Sequence, residues 1–242
     1  MKYIFFPGCK IEHHLKHYET SSRAVLEALG VRLVDIEMNC CGYPARHHDL
    51  VASVLSAARN LALAAKKNLD ILTPCKCCFG NLKFAISRLR EDAELRGKVN
   101  LLLEREGLRW EDQVSVKHLL SVLYHDVGLD TLKSTIKKPY TSLKIAPHYG
   151  CHALRPSNVV QFDDPLSPTI FETLVDVTGA HSVEWPKRLE CCGNPLWGKN
   201  KPLSIHMMQK KVEDAIHAGA DFLCTACTYC QIQFDQVRTG SD

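Results

Sequence analysis

The sequence contains no long hydrophobic run: about 18 consecutive apolar residues, the length that marks a membrane-spanning helix, occur nowhere in it. It also has no excess of charge, because 30 lysines and arginines face 27 aspartates and glutamates. The first absence predicts a protein without a transmembrane segment. The second gives no support to binding through bulk charge, so we expect no nucleic-acid partner.

The N-terminal residues do not have the pattern of a signal peptide either. The N-terminal stretch MKYIFFPGCK has an apolar run that stops at Pro7, which is too short for a secretory signal and lacks a cleavage site. We therefore expect a cytoplasmic protein. In that reducing compartment the 12 cysteines of the chain indicate metal or redox chemistry rather than a disulfide framework.

Cysteine is what the chain has in abundance, in a constellation that occurs twice. Each copy contains a lone cysteine, an adjacent pair followed by glycine, and a C-x-x-C. The first copy consists of Cys9, Cys40, Cys41, Cys75 and Cys78, and the second of Cys151, Cys191, Cys192, Cys227 and Cys230. The pair and the C-x-x-C are 34 positions apart in the first copy and 35 in the second. Because Cys77 and Cys224 have no counterpart in the other copy, we predict that they are buried bystanders.

The hydrophobic pattern predicts the same order of strands and helices in both halves. Predicted strands cover 2–6, 31–36 and 69–73 in the first half and 143–147, 181–185 and 221–225 in the second. Strands that alternate with helices build parallel sheets with helices on their faces. The sequence thus predicts an α/β fold of two similar Rossmann-like lobes with small parallel sheets, related by a pseudo-twofold internal repeat.

The predicted domains are a first lobe at 1–95, a helical connector at 96–142 and a second lobe at 143–242. In the first lobe, the Ala- and Leu-rich stretch 49–67 predicts the strongest helix of the protein. Residues 116–128 of the connector have the pattern of an amphipathic helix. We expect the connector to pack between the lobes and assign it no chemistry.

In each half the cysteines follow the ends of predicted strands. Loops at the carboxyl ends of parallel strands converge on one crevice, so three loops distant in sequence can deliver five sulfurs to one place. The glycine after each cysteine pair allows a sharp turn or a close approach to an inorganic core. We therefore expect one thiol-lined site in each lobe.

Several kinds of site compete for these sulfurs. Structural zinc takes four ligands, so five thiols with an adjacent pair fit it poorly. Buried cysteines without a ligand role explain one or two thiols but not ten at duplicated spacings. Iron–sulfur clusters fit best, because cysteine thiolates hold them. The fifth thiol of each set indicates an unusual cluster or an iron left open for substrate.

The sequence resembles the B subunit of heterodisulfide reductase and its homologues, the CCG-domain (cysteine-rich domain) proteins. The stretches that carry the resemblance include FPGC (6–9), NCCGYP (39–44), DILTPCKCC (70–78), APHYGCHALRP (146–156), ECCGNP (190–195) and CTYCQIQFD (227–235). Together with shorter matches they extend over nearly the whole chain. Two complete CCG motifs in order are a specific signal.

The resemblance implies one noncubane [4Fe–4S] cluster in each lobe, held by the ten cysteines of the two constellations, with the clusters facing each other. It implies a cytoplasmic oxidoreductase that splits or forms a disulfide. The implied partners are a flavin-bearing A subunit, a ferredoxin-type C subunit with two ordinary [4Fe–4S] clusters, and a disulfide or sulfur-carrier substrate.

The chain departs from the methanogen members by ending soon after QFD (233–235), at TGSD (239–242), where they continue with an apolar segment. Transfer of their partners and substrate is weaker for that reason. One alternative is a CCG electron-transfer subunit of a quinone-linked dehydrogenase of the succinate or lactate/glycolate type. An alternative of another class is a zinc-stabilised, non-redox interaction module.

Two histidines, His148 and His152, flank Cys151. Histidine titrates near neutral pH, so we predict that one of them transfers the proton when a thiolate forms or leaves. The competing interpretation is a loop histidine that is hydrogen-bonded to the backbone. The motif HYGCH around Cys151 favours the heterodisulfide reductase branch of the family over the quinone-linked branch.

Overall fold

The computed structural model describes residues 1–237 of the 242-residue chain. These residues form two compact units. The first contains Met1–Leu119 with Asn158–Val160, and the second contains Leu120–Ser157 and the chain from Gln161 on. The division falls inside the segment predicted to be the connector, and the predicted domain boundaries stay a prediction. The TGSD end lies outside the described residues.

The first unit alternates strands with helices. Its elements are β1 (Lys2–Phe5), α1 (Cys9–His14), α2 (Lys16–Ala28), β2 (Arg32–Val34), α3 (Leu50–Ala65), β3 (Ile71–Thr73), α4 (Lys76–Glu91), α5 (Ala93–Leu103) and β4 (Val116–His118). Short 3₁₀ turns occur at Tyr43–Ala45 and Glu104–Glu106. The four strands form a parallel sheet in the order β2-β1-β3-β4.

Helix α3 is where the sequence predicted the strongest helix. Its alanines and leucines have high helix propensity, and the Asp49 carboxylate caps it by accepting a hydrogen bond of 2.9 Å from the Ala52 N–H. Val54 and Leu61 on its inner face are buried in the core of this unit.

One prediction for the connector is wrong, because 116–128 does not begin as a helix. Residues 116–118 are strand β4, which pairs with β3 in the register Ile71↔Val116. Burial alternates along β4, since Val116 and His118 are buried and Lys117 lies between them half-exposed. Helix α6 (Leu119–Ser121) and a π-helical turn at Val122–Val127 follow. Three residues are too few to show an alternation within the longer helical pattern, so the pairing with β3 determines their conformation.

The second unit repeats the order of the first. Its further elements are α7 (Leu129–Thr135), β5 (Lys144–His148), α8 (Cys151–Leu154), α10 (Ile170–Val177), β6 (His181–Ser182), α11 (Lys201–His217), β7 (Phe222–Thr225) and α12 (Thr228–Ile232). Helix α9 (Ser157–Val160) lies between α8 and α10 in the chain, and its residues 158–160 belong to the first unit. The 3₁₀ turns Pro186–Leu189 and Asn194–Leu196 and the π-helical turn Gln233–Val237 complete it. Its three strands form a parallel sheet in the order β6-β5-β7. The predicted α/β fold with two small parallel sheets is confirmed.

Both sheets place their first strand between the second and the third. The chain therefore leaves the first strand towards one side and later crosses to the other side. In parallel sheets, a ligand crevice opens at the carboxyl ends of the strands where the direction of winding reverses. Cys9 and Cys75 follow the two strands at this point of the first sheet, and Cys151 and Cys227 do so in the second.

Candidate metal centres

The five cysteines of the first constellation lie together at the carboxyl ends of the strands. The Sγ atoms of Cys9 and Cys40 are 3.8 Å apart. The thiol of Cys41 is hydrogen-bonded to those of Cys40 and Cys78, and Cys78 in turn to Cys75. All five are thiols rather than halves of disulfides. Three loops thus bring five sulfurs into one connected set.

The second constellation forms the same set in the same order. The thiol of Cys151 contacts that of Cys191, which contacts Cys192. Cys192 contacts Cys230, and Cys230 contacts Cys227. The structure therefore brings together all ten cysteines that the sequence singled out, in two sets of five. That they bind a metal cluster stays a prediction.

The two sets also share an electrostatic pattern. The pKa of Cys40 is lowered because the thiols of Cys41 and Cys9 are hydrogen-bonded to its sulfur, and the thiols of the second set do the same for Cys191. The pKa values of Cys9 and Cys151 are raised by these same hydrogen bonds and by burial. The first cysteine of each pair is therefore the favoured thiolate. Five thiolates this close repel one another unless a cationic core lies among them, as in a metal cluster.

The glycine before each lone cysteine makes room for the last sulfur of the set. A Cβ atom added to Gly8 would lie 2.7 Å from the Cys78 Sγ, and one added to Gly150 would lie 3.4 Å from the Cys230 Sγ. With donors that are all thiols and a backbone that leaves space beside them, both sets fit a sulfur-ligated iron cluster.

The glycine of each Cys-Cys-Gly is required by its backbone conformation and by a close contact with a helix. Gly42 and Gly193 adopt left-handed φ angles of +88° and +91°. A Cβ atom on them would lie 2.4 Å from the Ser53 carbonyl oxygen in α3 and 2.7 Å from the Ser204 carbonyl oxygen in α11, respectively. The sequence offered two reasons for this glycine, a sharp turn or a close approach to an inorganic core. The structure shows the sharp turn, and the atoms that approach the glycine are those of a helix backbone.

Sequence reasoning missed two buried amides that hold these loops. Asn81 donates a hydrogen bond of 2.7 Å to the Cys41 carbonyl oxygen. Gln233 donates a hydrogen bond of 3.1 Å to the hydroxyl of Ser204. That hydroxyl itself donates a hydrogen bond of 2.9 Å to the Gly193 carbonyl oxygen. Both amides stand three positions after the C-x-x-C, and this shared offset is the signal that the sequence contained.

His148 lies against the second set of thiols. It is the last residue of β5 and is 1 % exposed, and one of its ring nitrogens and the sulfurs of Cys192 and Cys230 lie within 4.8 Å of one another. Its ring meets that of Phe234 edge-on, with centroids 5.2 Å apart. The equivalent position of the first lobe, three residues before the lone cysteine, is the buried Phe6. At this position, an ionisable ring is present in the second lobe and a phenylalanine in the first.

The other residues that the sequence singled out lie beside the sets. His152 is half-buried in α8, directly after Cys151. Cys77 is buried in the first turn of α4. Cys224 is half-buried in β7, where it pairs with Pro147 of β5. That the two cysteines are bystanders stays a prediction.

Comparison with known proteins supports the repeat and the fold. The family model of the CCG cysteine-rich domain matches residues 3–83 and 145–235, so each match contains one complete constellation. The crystal structure of a hypothetical protein from Helicobacter pylori superimposes on 99 % of this chain with a TM-score of 0.76. The chain spans 44 % of that protein at 16 % sequence identity, which shows a shared fold alone.

Three relatives are similar over nearly the whole chain. A protein of Archaeoglobus profundus that is named as similar to the heterodisulfide reductase B subunit is 34 % identical over 98 % of this chain and 82 % of its own length. The B subunit of the ferredoxin/F(420)H(2)-dependent CoB-CoM heterodisulfide reductase of Methanosarcina acetivorans is 32 % identical over 97 % of this chain and 80 % of its own. An 8-methylmenaquinol:fumarate reductase membrane anchor subunit of Wolinella succinogenes is 36 % identical over 97 % and 82 %.

The third relative is named as a membrane anchor. Across residues 1–237 of the present chain, no helix combines the length and the apolar character needed to cross a membrane. The matched regions nevertheless include both constellations in full. The chain therefore belongs to the CCG cysteine-rich domain family, as a two-copy member that is similar to the B subunit of heterodisulfide reductase.

Proposed function

We propose that this protein is the iron–sulfur catalytic subunit of a heterodisulfide reductase-like complex, which cleaves or forms a sulfur–sulfur bond. The observation that carries the proposal is the convergence of five thiols in each lobe, since an ordinary [4Fe–4S] cluster uses four. Each set would hold one [4Fe–4S] cluster of a noncubane type. When bound, the clusters would supply the redox chemistry of sulfur–sulfur bond cleavage.

The reaction requires electrons and protons from elsewhere. Cleavage of one disulfide consumes two electrons and two protons and yields two thiols, and formation of the bond is the reverse. The proposed electron partners are a flavin-bearing A-type subunit and a ferredoxin-type C-type subunit. The relatives named as B subunits support assembly with such partners.

The residue best placed to move one of the protons is His148. Its position beside Cys192 and Cys230 lets the imidazole hold a proton next to a sulfur that gains or loses charge. The fixed position at the end of β5 and the edge contact with Phe234 orient the ring. His152 is the second candidate, because it follows Cys151 directly.

A second candidate function is electron transfer within a quinone-linked reductase. The similarity to the Wolinella succinogenes subunit supports it. In that case the clusters would relay electrons and no disulfide would be consumed. A zinc-stabilised interaction module is the candidate outside redox chemistry.

Metal analysis and a disulfide assay separate these functions. In anaerobically purified protein we expect about eight irons per chain with matching acid-labile sulfide and an EPR signal on redox titration. Stoichiometric zinc without iron would overturn the enzyme proposal. With iron present, we expect reduction of an asymmetric disulfide by the complex with a low-potential electron donor. Full iron without disulfide turnover would favour the quinone-linked function.

The role of His148 is tested with His148→Phe, which installs the residue found at the equivalent place in the first lobe. We expect unchanged iron and a turnover lower by about 10²–10⁴-fold. His152→Ala tests the second candidate in the same way. His181→Ala, at an exposed position of the same sheet, is the matched control. Loss of iron together with activity would show that His148 has a structural role.

A further inference from the structure

The second lobe contains a buried lysine on the face of α11 that packs against the core. The buried residues of this helix are Ser204, Met208, Lys211 and Ala215, which recur every three to four positions. Lys211 is 1 % exposed. Lysine is almost never fully buried unless its charge is paired, so this position needs a partner for the ammonium group.

The direct contacts of the Lys211 ammonium are with neutral groups. Its Nζ donates a hydrogen bond to the carbonyl oxygen of Lys187 and lies 4.6 Å from the centroid of the Trp185 ring. Two carboxylates of the neighbouring segments make their direct contacts with Lys187. Glu190 pairs with the Lys187 ammonium at 3.2 Å, and Asp214 accepts a hydrogen bond of 2.9 Å from the Lys187 N–H.

The thiols of the second set are the other source of negative charge near Lys211. Burial lowers the pKa of Lys211 to about 8, while the charges of Glu190 and of the thiols Cys192, Cys230 and Cys191 act in the opposite direction. The same helix face touches the Cys-Cys-Gly loop two turns earlier, where Ser204 is bonded to the Gly193 carbonyl oxygen. The Lys187 carbonyl oxygen that accepts from Nζ also accepts a hydrogen bond of 3.1 Å from the N–H of Glu190, the residue directly before Cys191. The ammonium group of Lys211 is therefore held at the segment that leads into the cysteine pair.

The first lobe has no charge at the equivalent place. Asn60 stands seven positions after Ser53, as Lys211 does after Ser204, and it is fully buried. Its amide holds the loop of the cysteine pair through hydrogen bonds of 2.9 Å to the Asn39 carbonyl oxygen and 3.1 Å from the Asn39 N–H. The buried lysine of the first lobe, Lys76, comes from α4 instead.

We propose that Lys211 is a positioning residue that sets the reduction potential of the cluster in the second lobe. A positive charge held in a dry environment beside the thiolates favours the state with the additional electron, because net local charge is one of the terms that set cluster potentials. The proposal rests on the proposed function, since it requires the cluster. In this proposal the ten cysteines hold the clusters, and Lys211 of α11 adjusts the reduction potential of one of them.

The test is a redox titration of the iron-loaded protein, followed by EPR. For K211M we expect one of the two cluster signals to become harder to reduce, with about a tenfold change in the ratio of oxidised to reduced cluster, or about 59 mV for a one-electron couple. The other signal should not move. K211R, which keeps the charge, should restore most of the shift. K210M is the matched control, because Lys210 is exposed and pairs with Glu213 at 2.9 Å.

An unchanged potential in K211M with full iron content would overturn this inference and leave the proposed function intact. Equal shifts of both signals would also overturn it. Wild-type protein without iron would instead overturn the proposed function and this inference together. K211N, which carries the residue of the first lobe, repeats the measurement if K211M does not fold.

Discussion

The carbonyl oxygen of Ser53 lies where a side chain on Gly42 would have to be. A Cβ atom added to Gly42 would be 2.4 Å from that oxygen, and the second lobe repeats the relationship between Gly193 and Ser204 at 2.7 Å. Ser53 and Ser204 each stand twelve positions after the second cysteine of the pair. In both lobes the helix that follows the Cys-Cys-Gly loop thus packs directly on that loop and holds two of the five thiols in place.

We predict that Gly42→Ala lowers the free energy of unfolding by roughly 2–4 kcal/mol. A non-glycine residue at this left-handed φ costs about 1–2 kcal/mol, and the contact with the α3 backbone adds to it. Urea unfolding of the iron-free protein under reducing conditions measures the change. Gly30→Ala is the control, because Gly30 has a φ of +70° but nothing within 4 Å of an added Cβ. Equal losses in both variants would contradict a role for the close contact.

The assignment of the ligands predicts different outcomes for two adjacent cysteines of α4. Cys78→Ser should reduce the iron content from about eight to about four per chain, because the first set loses one of its thiols. Cys77→Ser should keep the full content, as should Cys224→Ser in the second lobe. Iron and acid-labile sulfide of anaerobically purified variants are the measurement. Loss of iron from Cys77→Ser would make Cys77 a ligand and end the equivalence of the two lobes.

A buried tyrosine makes hydrogen bonds beside Cys151, the lone cysteine of the second set. The hydroxyl of Tyr149 accepts a hydrogen bond of 2.8 Å from the Phe171 N–H and donates one to Glu172, which also pairs with Arg188 at 3.1 Å. Burial, followed by the Glu172 carboxylate, raises the pKa of Tyr149 well above its usual range, so the hydroxyl stays a donor at alkaline pH.

We expect Tyr149→Phe to cost roughly 1–3 kcal/mol in free energy of unfolding, because the Phe171 N–H and the Glu172 carboxylate each lose a partner. Thermal or urea unfolding of the iron-free protein measures the loss. Tyr140→Phe is the matched control, since Tyr140 is exposed. A loss no larger than that of the control would show that solvent replaces the tyrosine hydroxyl.

Lys211 also predicts a pH dependence for the iron-free protein. Its pKa is about 8 in the folded chain against 10.5 for an unperturbed lysine, so between these values the unfolded chain binds more protons. The free energy of unfolding therefore rises with pH between about 8 and 10.5. The destabilisation caused by burying the charged ammonium is largest below pH 8.

K211M should therefore be more stable than the wild type near pH 7, by about 3 kcal/mol at most, and this advantage should shrink towards pH 10. Urea unfolding of both proteins at the two pH values, under reducing conditions, gives the difference. A difference that is independent of pH would mean that the ammonium keeps its charge in the folded chain without help from a cluster.

The sequence by itself determined the ten cysteines, the duplicated order of strands and helices, and the fold class. These features are local: spacing along the chain identifies the constellations, and the period of apolar residues identifies elements as long as α3. The rule that loops meet at the carboxyl ends of parallel strands was sufficient to predict that each set of thiols converges.

Tertiary structure alone decided which side chains surround the thiols. Strand β4 exists because β3 offers it hydrogen bonds, and its three residues are too few to show a period. Lys211 and Asn60 resemble residues of a solvated helix face until packing buries them. His148 and His152 look equivalent in HYGCH, yet only the fold places His148 against two sulfurs. Burial and charge depend on contacts between segments far apart in the chain, which local spacing does not record.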